Sequence, residues 1–341
     1  MSANEEKINR LFINWLSISL VLVFFIIIVG GLTRLTNSGL SITEWELFEG
    51  VLPPLSDESW LLYFEQYKKI PQYKLLNNTM QLEEFKIIFY WEYFHRFIAR
   101  LIGVFFLIPL IYFYFSKVIK KEYIKTCLII FLLILFQGII GWYMVQSGLV
   151  NDVTVSHYRL SLHLSIAILI ISMIFWLIKN TLAKKNKLFF KISYENIPFQ
   201  MLIFLIFVQI IIGAFVSGLD AGKIYQTWPL MGESFLPNDI TLINFENLMQ
   251  LDNHSLVQFY HRNFAYLIII YVFFLSVYIF KRKIFSSYKS LAFLIIILIL
   301  QAMLGIFTLV SGLNIYLASA HQVTGVLLVF SALNLYYLRT K

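Results

Sequence analysis

Eight apolar stretches of about twenty residues constrain the fold more than any other feature of this sequence. A helix needs about 20 mostly apolar residues to cross about 30 Å of hydrocarbon. The chain is 59% hydrophobic and 13% charged, whereas a soluble domain has about 25% charged residues. We therefore predict an all-α polytopic membrane protein with eight transmembrane helices, at about 11–32, 91–116, 124–146, 157–178, 199–219, 258–280, 289–310 and 316–338.

Basic residues are distributed unevenly between the connections, and this predicts the orientation. The N-terminus, the C-terminus and the connections 117–125, 179–195 and 281–289 together hold 17 of the 27 Lys and Arg but only 4 of the 19 acids. Because cytoplasmic loops carry the excess of Lys and Arg, both termini are predicted to be cytoplasmic. The net charge of +8 is then a signal of topology and implies no nucleic-acid partner.

The remaining segments exclude several classes of site. Residues 1–10 do not have the composition of a transit peptide, so the first span is predicted to be retained. Cys127, the one cysteine, lies within a span, which excludes an internal disulfide and any thiolate metal cluster. The two long outer loops, 33–90 and 220–257, are predicted to be ordered caps, with the amphipathic stretch 83–96 extending the second span outward.

The chain is predicted to be a tandem repeat of four spans, because motifs recur in the same order in both halves. Two halves with an even number of spans face the same way. We predict two pseudo-twofold-related four-helix bundles, residues 1–185 and 186–341. The matching positions are Gly30 and Gly213, Gly39 and Gly222, Trp45 and Trp228, His95-Arg96 and His261-Arg262, Gln137 and Gln301, and His163 and His321.

Four of the repeated residues are histidines near the outer ends of spans. At about 1.5 Å per residue, His95 and His261 lie about 5 Å inside the outer boundary, and His163 and His321 about 7–10 Å. Two imidazoles from facing helices are the ligands of a six-coordinate haem. Without thiolates or clustered carboxylates, zinc and non-haem iron fit less well. A histidine-only copper site, or simple hydrogen bonds between helices, stay open.

Arginines gather at the same outer ends, where they match the two carboxylates of a haem. A guanidinium binds a carboxylate through two parallel hydrogen bonds. The alternative is that some of these arginines extend their charged heads to the interface. The candidate propionate ligands are Arg34, Arg96, Arg100, Arg159 and Arg262.

The two halves differ at one position beside the histidines. Glu92 precedes His95 by three residues, and Gln258 precedes His261 by three, so each side chain neighbours its histidine on the helix. A glutamate can take a proton or stabilise positive charge, whereas a glutamine cannot take a proton at neutral pH. The first half is therefore predicted to do chemistry and the second to be a spectator or an electron-transfer site, unless Glu92 is simply an interfacial glutamate.

Several segments resemble haem A synthases, in the branch shared by mitochondria and alphaproteobacteria. They are GGLTRLTNSGLSITEW (30–45), FKIIFYWEYFHRFIARLIG (85–103), FQGIIGWYMVQSGL (136–149), SGLDAGKIYQTWPLM (217–231), QFYHRNFAY (258–266) and HQ (321–322). The resemblance covers nearly the whole chain. The cysteine pair that another branch carries in an outer loop is absent from this sequence.

The resemblance implies oxidation of the C8 methyl of haem O to a formyl group, giving haem A for cytochrome oxidase. His95 and His163 would hold the substrate haem O, His261 and His321 would hold a haem b, and Glu92 would be catalytic. It also implies a bacterial inner-membrane location, a haem O synthase (farnesyltransferase) as haem donor and the cytochrome oxidase assembly machinery as acceptor. Homo-oligomerisation stays open.

Two other functions are compatible with parts of the sequence. A non-catalytic di-haem cytochrome b, transferring electrons to or from quinone, needs the same four histidines, and only Glu92 and the resemblance argue against it. A transporter built from parallel repeats predicts broken helices and charged residues near the membrane centre. Here the ionisable residues lie at the outer edge, which disfavours transport.

Overall fold

The computed structural model describes residues 3–45, 49–150, 152–239 and 248–340, and within these ranges it contains helices and no β-strand. Eight of the helices found there are long and apolar enough to span a membrane. This confirms the prediction of an all-α polytopic membrane protein. The helices are α1 Ala3–Leu35, α2 Asp57–Tyr67, α3 Pro71–Leu76, α4 Leu82–Ser116, α5 Lys121–Gln146, α6 His157–Leu182, α7 Ile197–Gly218, α8 His254–Lys281, α9 Tyr288–Val310 and α10 Ile315–Arg339.

The chain forms two compact units, Met1–Ile174 and Phe175–Lys341. In the first unit α4 packs against α1, α2 and α5. In the second, α7 packs against α8 and α10, and α9 packs against the same two helices. The pseudo-twofold axis and the functional division after residue 185 stay predictions.

Helix ends recur at matching positions in the two units. Asn37 and Asp220, which follow α1 and α7, have φ of 53° and 54°. Lys117 and Lys283, which follow α4 and α8, have φ of 55° and 50°. A residue in the left-handed region commonly ends a helix, and Asn and Asp tolerate it well. The repeat is therefore visible in the local backbone and not only in the sequence motifs.

The first outer loop folds into a helical cap on the end of α4. With 35 residues, α4 is about 52 Å long, which exceeds about 30 Å of hydrocarbon, so its first turns project outward. The prediction that the stretch 83–96 extends the second span outward is thus confirmed. Residues 46–48 and 240–247 of the two long loops lie outside the described residues. The cap core comprises Leu40, Ile42, Trp60, Phe64, Tyr67, Ile70, Phe85, Phe89 and Val155.

Large apolar side chains lie on the outside of the spans as well as inside. On α4, Ile108 and Phe115 are exposed, whereas Phe106 and Phe113 are buried. The buried pair packs on Trp15 of α1, with ring centroids 4.7 and 5.4 Å away. Because lipid tails are as apolar as these side chains, exposure there has no hydrophobic cost. Association of the helices then depends on close packing, and glycine residues allow the closest approach between two helices.

Candidate functional site

Each of the four predicted ligand histidines packs against a glycine on the span that precedes it. The helix pairs are α1 with α4, α5 with α6, α7 with α8, and α9 with α10. A β-carbon added at Gly30, Gly141, Gly213 or Gly305 would lie 3.0, 3.1, 3.0 or 2.8 Å from Cε1 of His95, His163, His261 or His321, respectively. Since carbon atoms in contact lie about 3.5–4.0 Å apart, the glycines leave the space that the imidazoles occupy.

In the second unit the two imidazoles face each other. The ring centroids of His261 and His321 are 6.4 Å apart, and the ring planes cross at 78°. An imidazole nitrogen binds a first-row metal at about 2.0–2.1 Å, so two rings sharing one metal have centroids roughly 6–6.5 Å apart. The spacing of these two rings is therefore the spacing that two histidines sharing a metal ion would have.

Glutamines on the neighbouring helices hold both of these histidines. The Nε2 group of Gln209 donates to the main-chain oxygen of His261 at 3.0 Å and lies 3.2 Å from its Nδ1. His321 Nδ1 lies 3.1 Å from the main-chain oxygen of Gln301, and the Gln301 amide lies 3.4 Å from His321 Nε2. A carbonyl contact at Nδ1 orients a metal-bound imidazole, whereas the Gln301 amide contacts Nε2, the nitrogen through which such an imidazole would bind a metal.

The histidines of the first unit are held less firmly. Gln137 Nε2 donates to the main-chain oxygen of His163 at 2.9 Å. The Nδ1 atoms of His95 and His163 are buried and have no hydrogen-bond partner within the described part of the chain. Both histidines belong to the first unit, and each packs against its own glycine, Gly30 or Gly141. An unpartnered buried nitrogen is costly, and a bound ligand that orders the rings relieves part of that cost.

Glu92 is buried, with 3% of its surface exposed, and its carboxylate accepts four hydrogen bonds. One oxygen, Oε2, accepts from Ser41 Oγ at 2.8 Å and from the Ile42 main-chain nitrogen at 2.9 Å. The other, Oε1, accepts from Arg96 Nη2 at 2.6 Å and Nε at 3.1 Å. This arrangement suits an ionised carboxylate, which only accepts. Glu92 thus joins α4 to the loop that follows α1.

The corresponding residue of the second unit makes the opposite kind of bond. Gln258 is also buried, and its Nε2 donates to the main-chain oxygen of Tyr225 at 2.8 Å. Ile42 and Tyr225 match in the repeat, since each precedes its tryptophan, Trp45 or Trp228, by three residues. At this loop position the main-chain N–H of Ile42 donates to the Glu92 carboxylate, whereas the main-chain oxygen of Tyr225 accepts from the Gln258 amide. Of these two matching positions, only the one in the first unit therefore carries a carboxylate.

Arg96 and Arg262 bind the outer loops through main-chain oxygens. Both guanidiniums reach two oxygens spaced two residues apart, at matching positions of the repeat. The bonds run from Arg96 to Ile42 (2.9 Å) and Glu44 (3.3 Å), and from Arg262 to Tyr225 (3.1 Å) and Thr227 (2.8 Å). A planar fork of donors suits such paired acceptors. The structure thus gives these two predicted propionate ligands a loop-holding role.

The other three predicted propionate ligands each donate a hydrogen bond to a nearby oxygen of the protein. Those bonds run from Arg34 Nη1 to Asn37 Oδ1 (2.9 Å), from Arg100 Nη1 to the Gly50 main-chain oxygen (2.9 Å), and from Arg159 Nη1 to the Tyr143 main-chain oxygen (2.7 Å). Arg159 also lies 3.8 Å from the centre of the Tyr143 ring, a cation–π contact. Tyr143 of α5 thus anchors Arg159, which lies on α6 one turn above His163.

Tyr67 lies in the cap near Glu92 and is fully buried. Its hydroxyl donates to Gln72 Oε1 at 2.9 Å and accepts from Asn77 Nδ2 at 2.7 Å. Burial raises the pKa of the Tyr67 phenol, and the charge of Glu92 acts in the same direction. The phenol is therefore a neutral structural group that braces the cap.

Sequence reasoning did not assign the supporting glutamines. The spacing Gln-x₃-Gly at 137–141 and 301–305 was a marker of the repeat, and the same spacing occurs at 209–213. That spacing places both side chains on one helix face, which is the signal that could have identified them. Among the described residues, no group of three or more His, Cys, Asp and Glu could hold a metal, which leaves the paired histidines.

Eight apolar spans with two histidine pairs seated on glycines define a polytopic membrane protein whose candidate metal ligands are paired imidazoles. Residues 13–333 match the family model described as cytochrome oxidase assembly protein (COX15-CtaA), and the chain belongs to this family.

Similar proteins in several bacteria carry the name haem A synthase. The chain is 44% identical to that of Pelagibacter ubique over 333 residues, 97% of each chain. It is 41% identical to that of Rickettsia felis over 327 residues, 94% of this chain and 96% of the other. It is 38% identical to that of Flavobacterium johnsoniae over 326 residues, 93% and 94% of the two chains.

Proposed function

We propose that this protein is a haem A synthase, a membrane oxidoreductase that converts the C8 methyl of haem O to a formyl group and so produces haem A. Family membership and the names of its relatives support this activity. The observation that carries the assignment of roles is the buried carboxylate of Glu92, one turn from His95, opposed by the neutral Gln258 beside His261.

The two histidine pairs are proposed to hold different haems. His261 and His321, with rings 6.4 Å apart and supported by glutamines, would hold a resident haem b. A bis-histidine haem supplies one-electron transfer when bound. His95 and His163, whose Nδ1 atoms lack partners in the described residues, would hold haem O. A site that exchanges substrate for product suits the less restrained pair.

Glu92 is proposed to act by holding negative charge close to the substrate. Its two oxygens accept four hydrogen bonds, two of them from the guanidinium of Arg96 in a charge-assisted pairing. A fixed charge stabilises positive charge that develops during oxidation of a methyl group. The donors from Ser41, Ile42 and Arg96 also hold the carboxylate still, so this stabilisation requires no reorganisation.

The arginines are proposed to divide between two tasks. Arg96 and Arg262 hold the loops after α1 and α7 through main-chain oxygens. Arg34 and Arg159 lie near helix ends and Arg100 lies midway along α4; these three are proposed to pair with haem propionates. Of these three, Arg159 is the strongest candidate, since Tyr143 anchors it one turn above His163.

We further propose a bacterial inner-membrane location with both termini cytoplasmic, which the distribution of basic residues supports. Haem O would come from a haem O synthase in the same membrane, and haem A would pass to the cytochrome oxidase assembly machinery. Because haem O carries an apolar farnesyl chain, both transfers are expected to take place within the bilayer.

Expression in a host that makes haem O but lacks haem A synthase tests the proposal. Non-covalent haems extracted from the membranes and from the purified protein would be identified by mass. We expect haem A from the native chain, and about 100-fold less from Glu92→Gln with its haem content retained. The matched control is Glu83→Gln, because Glu83 lies on the same helix, is 79% exposed and pairs only with a nearby lysine.

One result would contradict this function, and another would contradict only the role of Glu92. Haem b alone, with haem O unchanged, would identify the alternative, a di-haem cytochrome b that exchanges electrons with quinone. Haem A production by Glu92→Gln at the native rate would leave the activity intact but remove Glu92 from the reaction.

A further inference from the structure

Three of the four ligand histidines share a support that the fourth lacks. In α5, α7 and α9 a glutamine precedes the histidine-contacting glycine by four residues, at 137–141, 209–213 and 301–305. The equivalent position of α1, four residues before Gly30, is Ile26. Residues four apart lie on one face of a helix, so Ile26 faces α4 as the glutamines face their partner helices.

The three glutamines use their side-chain amides on the histidines. Gln137 and Gln209 donate to the main-chain oxygens of His163 and His261 at 2.9 and 3.0 Å. Gln301 contacts the ring of its histidine, with Nε2 3.4 Å from His321 Nε2. An isoleucine has no N–H and offers only apolar contact, so the α1–α4 pair lacks this bond.

His95 is consequently the histidine with the fewest restraints. Its ring rests on Gly30, where a β-carbon would lie 3.0 Å from Cε1, and its buried Nδ1 has no partner among the described residues. His163 shares the unpartnered Nδ1, but Gln137 holds its main chain. Both histidines of the second unit have ring contacts to a glutamine residue.

We propose that Ile26 is a positioning residue that makes His95 the most easily displaced of the four histidine ligands, an inference that rests on the proposed function. The consequence is a built-in order of ligand release. The haem held by His261 and His321 stays in place, whereas the first pair opens at His95 when substrate enters or product leaves. The effect of Ile26 is exerted through His95.

Ligand exchange can be measured without turnover. The full-length protein would be loaded with haem A in the first half and haem b in the second, since the formyl group separates their absorption bands. Cyanide binds ferric haem iron only where a histidine has been displaced, so its binding rate at each band reports release in each half. The variants are Ile26→Gln, its volume-matched control Ile26→Leu, and the converse Gln209→Ile.

We expect cyanide to bind the first half faster than the second in the native chain. Because one added hydrogen bond between membrane helices is modest, Ile26→Gln should slow first-half binding about three- to fivefold, with second-half binding unchanged. Ile26→Leu should match the native chain. Gln209→Ile should speed second-half binding by a similar factor, and it decides the matter alone if Ile26→Gln takes up no haem.

A second readout needs no haem. Diethyl pyrocarbonate modifies accessible imidazoles, and mass spectrometry of the haem-free protein should show His95 reacting faster than His261, a difference that Ile26→Gln reduces. Unchanged cyanide rates in both exchanged variants would overturn the proposal. That failure is distinguishable from failure of the proposed function, because externally loaded haem reports ligand release whether or not haem O is oxidised.

Discussion

Replacing Gly305 by alanine should weaken binding of the haem proposed for the second unit, and the structure gives the size of the effect. The added β-carbon would lie 2.8 Å from Cε1 of His321, whereas carbon atoms pack at about 3.5–4.0 Å. The ring must therefore retreat by about 0.7–1.2 Å. Ligand geometry is productive only within about 0.5 Å, so a shift of this size would move His321 out of the position in which it could hold a metal.

The cost of this overpacking is about 1–3 kcal/mol, which corresponds to a five- to 150-fold weaker affinity for haem b. In the haem-free protein no metal holds the His321 ring, so the ring can turn away from the added methyl group, and alanine favours a helix interior over glycine by about 1 kcal/mol. The unfolding temperature of this form should therefore not fall. Loss of affinity without loss of apoprotein stability is the expected signature. Haem b titration monitored by absorbance gives the affinity, and thermal unfolding of the haem-free protein gives the stability.

Gly138→Ala is the matched control, because a β-carbon at Gly138 would have no neighbour within 4 Å. It should leave haem affinity unchanged. Three residues further along the same helix, Gly141→Ala should weaken the first pair instead, through His163 at 3.1 Å. If Gly305→Ala bound haem b as tightly as the native chain, the glycine contacts would not determine histidine position, and the reasoning would be wrong.

Two further substitutions test the outer loops by thermal unfolding of the purified protein. Gln258→Glu should lower the free energy of unfolding by about 1–3 kcal/mol, because a carboxylate cannot donate to the Tyr225 carbonyl; an unchanged midpoint would contradict the assigned bond. Arg262→Lys should cost a similar amount, since one ammonium cannot replace a fork that serves three main-chain oxygens. Arg282→Lys, at the far end of the same helix, should have no comparable effect.

The spans were predictable because they depend on a pattern that few alternatives share, and the histidines stand out as candidate ligands for the same reason. A run of twenty apolar residues has one stable outcome in lipid. His95 and its three counterparts recur at matching positions and cost energy inside a membrane, which marks them whatever their neighbours are. The extension of α4 outward followed from the amphipathic stretch at 83–96.

The partners of the arginines were less predictable, because a guanidinium pairs with any carboxylate or carbonyl within reach. For Arg96, the sequence showed a cation near a predicted haem but not that Glu92 and the loop oxygens at 42 and 44 lie closer. The glutamines were missed for a related reason. Gln209 has no matching glutamine in α1, so the repeat does not mark it, although its contact with His261 is among the most direct.

The loop contacts of Arg96 and Arg262 have a consequence for how the two units can diverge. Both arginines recognise main-chain oxygens, which every residue possesses. The side chains at those positions are consequently unconstrained by the contact, and they differ: Ile42 and Glu44 in one unit, Tyr225 and Thr227 in the other. Duplicated halves can in this way keep a common frame while their inner surfaces acquire separate chemistry, one accommodating a carboxylate and the other an amide.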